Sequence, residues 1–181
     1  MYFIPYYYYN MPMFEETRQP IHMNRAWEAG AICAYCHTPV HDRLVLEDFG
    51  PNPLVIDINQ AAKQNQNYRT TLWTGSHLQV TLMSIPVGGD IGLEIHPDHD
   101  QFLRIEQGQG LVQMGKSKDH LNVEKRVSKD AAIVVPAGTW HNVRNIGRGP
   151  LKLYSIYAPP EHPFGTVHAT KADALAAEGD Y

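Results

Sequence analysis

GGDIGLEIHPDHDQFLRIEQGQG, residues 88–110, sets two strand-like runs on either side of a tight turn. Glu94 and His96 are two apart in the first run, 91–96, so a strand there sends both side chains from one face. Pro97 and Asp98 break that strand, and Gln101 opens the next run, 101–107. A hairpin of this kind returns Gln101 beside His96. Further along, Pro136-Ala137-Gly138-Thr139-Trp140-His141 reads as a turn that delivers a histidine at the start of another strand. In a closed barrel, Glu94, His96, Gln101 and His141 can meet at one point.

The surrounding chain has the same texture. The run 78–85, LQVTLMSI, alternates apolar and polar residues over most of its length. Further strand-like runs cover 110–115, 131–135, 140–145 and 151–157, with turns such as Gly108-Gln109-Gly110 and Gly147-Arg148-Gly149-Pro150 between them. Short strands at nearly even spacing predict an antiparallel sandwich or barrel. Four regions follow: an arm (1–20), a helical and irregular lead-in (21–75), the barrel (76–160) and a C-terminal strap with a short helix (161–181). Within the lead-in, a helix is plausible from Asn24 to about Tyr35, and Asp57 with Gln60 resembles a capping box opening a helix through about Tyr68. Thr170 with Asp173 forms a second capping box ahead of an Ala-rich helix to about Glu178.

Composition narrows the function. Hydrophobic residues make up 43% and charged residues 19% of the 181, a balance that argues against a mostly disordered chain. The net charge of -4 supplies no basic patch for nucleic acid or for anionic lipid. The longest unbroken apolar stretch, Ala131 to Val135, is too short to cross a bilayer. Two cysteines make no disulfide framework. No basic residue precedes Arg18, and Tyr6 to Tyr9 occupy the would-be apolar core of a leader, so a cytoplasmic location is expected. Those tyrosines read as a terminal tail, or alternatively as an adhesive segment.

Residues 70–158 resemble the cupin family. Gly88, Glu94, His96, Gln101 and Gly108 match the spacing of its first motif, and Pro136, Gly138, His141 and Asn145 that of its second. The resemblance implies an all-β fold, a double-stranded β-helix (jelly-roll barrel), of the type described as mannose-6-phosphate-isomerase-like. It also implies one divalent metal ion held by the residues at the ligand positions. Glu94 replaces the first motif histidine, Gln101 the motif glutamate, and Asp130 the leading glycine of the second motif. The carboxylate is thus moved rather than lost. Two imidazoles (His96, His141), one carboxylate (Glu94) and a neutral amide (Gln101) suit Fe, Mn, Zn, Ni or Co and lack the thiolates that select zinc or copper(I). Gln101 is either a fourth ligand or a neighbour acting through the ligands. His99 in the turn is the rival for its place. A barrel whose metal site has decayed is the alternative, at the cost of a buried unpaired carboxylate.

Other motifs carry less. Cys33-Ala34-Tyr35-Cys36-His37 matches a haem-attachment pattern, but a reduced structural pair is the simpler reading, with a second metal site using His41 as the alternative. The segment APPEHPFGTVH, with Glu161, His162 and His168, is either a surface wrap or a strap that carries a histidine over the barrel mouth.

The expected function is a small metalloenzyme acting as isomerase, epimerase or lyase on a small hydroxy-carbonyl or sugar-like substrate. Glu94, His99 or Tyr154 would move the proton. An Fe(II)- or Mn(II)-dependent dioxygenase on the same residues is the second possibility, and a non-catalytic, metal-stapled coat component the third. Small molecules are the expected ligands, with no nucleic acid and no membrane. A homodimer is expected, because open sheet edges otherwise invite aggregation.

Overall fold

The structure is a computed structural model that describes residues 43–178. The tyrosine-rich arm, the early helix and the Cys33/Cys36/His37/His41 group lie outside the described residues. Chain order runs α1 (Ile58–Gln64), β1 (Arg69–Thr74), β2 (Gln79–Ile85), β3 (Asp100–Gln107), β4 (Gln109–Gly115), β5 (Val123–Ser128), β6 (Ala132–Val135), β7 (Trp140–Asn145), β8 (Leu151–Ala158), β9 (Val167–His168) and α2 (Lys171–Glu178). Strands β6-β3-β8-β2-β1-β9 form one sheet and β5-β4-β7 the other, with every pairing antiparallel. This is the two-sheet barrel expected of a double-stranded β-helix.

The interior has two chemically different ends, and the inward residues of each strand show the switch. Along β8 these are Leu151, Leu153, Ser155 and Tyr157, and along β2 they are Ile85, Met83, Thr81 and Gln79. The apolar end packs Met83, Ile85, Leu103, Ile105, Leu151 and Leu153 against Val112 and Val143 of the smaller sheet. Burial of these side chains supplies most of the driving force for closing the barrel. The polar end holds Gln79, Thr81, Gln101, His141, Ser155 and Tyr157, all buried.

A second core lies on the outer face of the large sheet. Ala61 and Ala62 of α1 cover Leu72 and Leu82, joined by Leu44, Phe49, Leu54 and Ile56. That cover explains why β1 is buried on both faces and shows no polar–apolar alternation. The lead-in expected to be helical and irregular therefore contributes a sheet strand. Asp57 caps α1 as expected, accepting from the Gln60 amide at 2.9 Å, but the helix ends at Gln64 rather than near Tyr68. The second capping box forms reciprocally: Thr170 N donates to Asp173 Oδ2 (2.8 Å) and Asp173 N to Thr170 Oγ1 (3.2 Å).

Three motif glycines sit in left-handed backbone, Gly88, Gly108 and Gly138, with φ of 75°, 95° and 72°. The fourth motif position is taken by Asp130, also left-handed at φ 71°. Aspartate tolerates this region better than most residues, and Asp130 Oδ1 accepts from Arg104 Nη2 at 2.8 Å. The substitution preserves the turn.

Candidate metal centre

The run 91–96 is not a regular strand. It carries isolated bridges at Asp90 (to Arg144) and Glu94 (to His141), with Gly92 in left-handed backbone between them. Glu94 N donates to His141 O (3.0 Å) and His141 N to Glu94 O (2.9 Å). Such a hydrogen-bonded pair puts the two side chains directly opposite on one face. The segment is held further by Gly138 N donating to His96 O at 2.8 Å, which ties the turn before β7 to the same edge.

Three of the four expected ligands converge. Glu94, His96 and His141 each offer a ligand atom within 4.8 Å of the others. Glu94 Oε1 lies 3.4 Å from His96 Nε2 and 3.2 Å from His141 Nε2, yet neither nitrogen makes a hydrogen bond of acceptable geometry. Two donors each about 2.1 Å from one ion stand about 3.0 Å apart at a right angle and about 3.4 Å at the tetrahedral angle. The spacings fall in that window.

Both imidazoles are oriented from behind. His141 Nδ1 lies 3.0 Å from Thr139 O, and a carbonyl only accepts, so Nδ1 carries the hydrogen and Nε2 keeps its lone pair. His96 Nδ1 faces Glu161 Oε1 at 3.3 Å, a carboxylate that would hold its N–H once Nε2 gave up its proton to bind a metal. Gln101 is 2% exposed, and its Nε2 donates to Ser155 Oγ at 3.0 Å, leaving Oε1 buried without a hydrogen-bond partner. Buried polar atoms in folded proteins are almost always satisfied. His96 Nε2 and His141 Nε2, both beside the Glu94 carboxylate, and the buried Gln101 Oε1 all lack a hydrogen-bond partner, and a divalent transition metal would satisfy such a set. The donor set fits the ion.

His99 is placed differently from its role as a rival ligand. Its Nε2 lies 3.3 Å from Glu161 Oε2 and 3.3 Å from Pro160 O, and its ring centroid is 6.1 Å from that of His96. It braces the strap rather than joining the three converging groups. Tyr154 needs a correction as a proton-transfer candidate. It points to the opposite face of β8, against Phe102 (ring centroids 6.2 Å apart) and the core beneath α1. Strand parity puts Tyr157 into the interior instead, edge-on to His96 at 5.5 Å and to His162 at 5.2 Å.

Of three further site residues, two were legible in the sequence only within an alternative reading of the strap, and the third was not. Glu161 and His162 arrive on the strap, clamped by Gln79. Its Nε2 donates to His162 O (2.8 Å) and its Oε1 accepts from His162 N (3.0 Å). The strap thus takes the mouth-covering alternative. Arg69, on β1, is the third. All three line a cavity of about 500 Å³ together with Glu94 and His96. An acid and a histidine set between prolines was the available signal for the strap, whereas nothing in the local pattern marks Arg69.

Electrostatics follow this geometry. Burial alone would raise the Glu94 pKa, but the His141 and His96 imidazoles close beside it outweigh burial and lower it to about 2. Burial alone would lower the His96 pKa, but Glu161 and Glu94 raise it to about 9. His162 is pushed down to about 3 by burial and the Arg69 charge. Burial raises the Tyr157 phenol above its ordinary value.

Comparison with known proteins agrees with this fold. The cupin domain model matches residues 81–157. Over 179 residues, 96% of this chain and 94% of the relative, the sequence is 60% identical to the uncharacterized protein YrkC of Bacillus subtilis. It is 41% identical over 114 residues to the uncharacterized protein L612 of Acanthamoeba polyphaga mimivirus, covering 62% of this chain and 69% of that one. The crystal structure of BH2720 from Bacillus halodurans superposes with a TM-score of 0.72 at 64% identity, covering 72% of this chain and 99% of that one. With motif residues, two-sheet barrel and these likenesses in agreement, the chain belongs to the cupin superfamily.

Proposed function

We propose that this cupin is a metal-dependent enzyme acting on a small substrate with adjacent hydroxyl and carbonyl or carboxyl oxygens. The observation that carries the reading is the opening of the cavity onto Glu94 and His96. A structural metal site is closed by its protein ligands, whereas a catalytic one keeps positions open to the solvent or substrate. A divalent ion held by Glu94, His96, His141 and the Gln101 oxygen supplies Lewis-acid polarisation of a substrate oxygen.

The chain's own residues supply the rest. Glu161 is the carboxylate on the cavity wall that is not among the three converging groups. It bridges His96 Nδ1 and His99 Nε2, so a proton taken up there is shared with His99 rather than left on an isolated acid. Tyr157 stays a neutral phenol, and His162 stays neutral above about pH 3, so both orient by hydrogen bonding and not by charge. Isomerisation, epimerisation or elimination is the chemistry that one polarised oxygen and one nearby acid–base pair support.

Water-proton relaxation tests the open site without knowledge of the substrate. The Mn(II)-loaded protein should enhance relaxation strongly, and oxalate should displace that enhancement. No enhancement at full Mn(II) occupancy means a closed structural site and ends the enzymatic reading. The two-histidine, one-carboxylate set also favours a second reading, an Fe(II) dioxygenase. Oxygen consumption by the Fe(II)-loaded protein, scanned over hydroxy-acid and diketone substrates, separates the two.

A further inference from the structure

Gln101 stands where the first cupin motif has glutamate, and the exchange introduces an asymmetry. The two oxygens of a carboxylate are equivalent, so a glutamate presents an acceptor whichever way its end group turns. A glutamine has one oxygen and one NH2 group, and that nitrogen only donates. A half-turn about the last side-chain bond therefore replaces an acceptor by two donors, which repel a cation. The amide at this position serves a metal ion only if its orientation is held.

The group in contact with it is Ser155. Both side chains face the barrel interior from neighbouring strands. Gln101 is paired with Val135 on β6 and Tyr157 on β8, and Ser155 with Leu103 on β3 and Thr81 on β2. Strands β3 and β8 both have a neighbour on each side, so neither backbone lies at a sheet edge. Gln101 is 2% exposed and Ser155 is fully buried, which keeps bulk water from competing for the amide. Gln101 Nε2 donates to Ser155 Oγ at 3.0 Å, while Oε1 is left without a hydrogen-bond partner. From the β2 side, buried Thr81 Oγ1 makes no hydrogen bond and so does not engage the serine. The Ser155 hydroxyl also lies near enough to the Tyr157 phenol to oppose the burial that raises its pKa. A neutral hydroxyl does this by turning its hydrogen toward the phenol oxygen. The lone pairs of Oγ are then left for Gln101 Nε2.

We infer that Ser155 is the positioning residue that turns the Gln101 oxygen, and not its nitrogen, toward the metal centre. This rests on the metal-site reading above and goes beyond it, because it assigns the device that lets an amide occupy a glutamate position. The two interactions reinforce each other: an ion on Oε1 draws charge from the amide and makes Nε2 a stronger donor to Ser155.

Mn(II) titration of four proteins tests it: the parent, Ser155→Ala, Gln101→Glu and the double variant. Ser155→Ala should lower affinity about 10- to 100-fold in the parent, the usual loss when a group that orients a ligand is removed. In the Gln101→Glu background the same change should lose clearly less, since two equivalent oxygens need no orienting. A purely structural role for Ser155 predicts equal losses in the two backgrounds, and that result overturns the inference. The parent supplies a second measurement should Ser155→Ala fail to fold. In Zn(II)-loaded protein studied by nuclear magnetic resonance, the Gln101 side-chain amide hydrogens should exchange slowly with solvent, and its Cδ resonance should move on addition of Zn(II). Fast exchange, or a Cδ resonance that stays in place at full occupancy, also overturns it. A parent that binds neither ion overturns the metal-site reading and this inference together, whereas tight binding with equal losses overturns this inference alone.

Discussion

Metal affinity should depend on pH through His96, with a midpoint far above that of an ordinary histidine. In the metal-free protein this ring stands between two carboxylates, 3.3 Å from Glu161 Oε1 and 3.4 Å from Glu94 Oε1, and its pKa is raised from 6.5 to about 9. The proton on His96 thus offsets one of the two carboxylate charges, and a metal ion must displace it. Because the folded value exceeds the unfolded one, protonated His96 stabilises the metal-free fold fully below about pH 6.5, and that contribution fades as the pH rises through about 9. Metal binding runs the other way and strengthens over the same window. With a pKa of about 9, the unprotonated fraction rises from about 3% at pH 7.5 to about 24% at pH 8.5, an eightfold gain in apparent affinity. An unshifted histidine would give about 1.1-fold over the same interval. Anaerobic titration with Mn(II), with free ion followed by electron paramagnetic resonance, reads the ratio directly. Glu161→Gln removes the largest influence holding the proton and should reduce the ratio well below eightfold. A ratio near one in the parent, or an unchanged ratio in Glu161→Gln, would refute the reasoning.

Other outcomes follow from the same geometry. Glu94→Gln raises the formal charge at the centre by one and should weaken metal binding markedly, while Gln101→Glu adds an anion beside the orphaned amide position and should tighten it; competition with a fluorescent chelator measures both. His99→Ala should retain metal, since His99 braces Glu161, and metal loss in that variant would return it to the ligand set. Gln79→Ala frees two backbone groups of the strap and should cost about 1–3 kcal/mol in denaturant unfolding. The same variant should also lower metal affinity although Gln79 is no ligand; unchanged affinity would mean that Glu161 does not depend on the clamp. Among the described residues, β6 and β9 end the large sheet and β5 one side of the small one, and the proposed homodimer should show twice the chain mass in light scattering. A single-chain mass at every concentration would contradict it.

The barrel and the converging ligands were legible because each rests on short-range spacing. Glu94 and His96 keep one face by their separation of two, and the Pro136–Gly138 turn sets His141 opposite Glu94. Legibility fails where a neighbour distant in sequence decides the pattern. Strand β1 hides because α1 buries its outer face, so Arg69, Thr70, Thr71 and Leu72 are all buried and no alternation survives. Strand β5 hides for the opposite reason: an edge strand of charged, exposed residues has no apolar face to show. Glu161 reaches His96 across 65 residues, by a strap whose position depends on Gln79 rather than on any local period. Choosing between Tyr154 and Tyr157 needed the register of β8 against β3, in which Tyr157 stands opposite Gln101 and Tyr154 opposite Arg104.

Anomalous diffraction from crystals of the Mn(II)-loaded protein tests the central claim most directly. One peak per chain among Glu94 Oε1, His96 Nε2 and His141 Nε2, absent in His141→Ala crystals, is the predicted result. A fully loaded protein whose only peak lies elsewhere, or a parent crystal with no peak at saturating Mn(II), would contradict the assignment of this site.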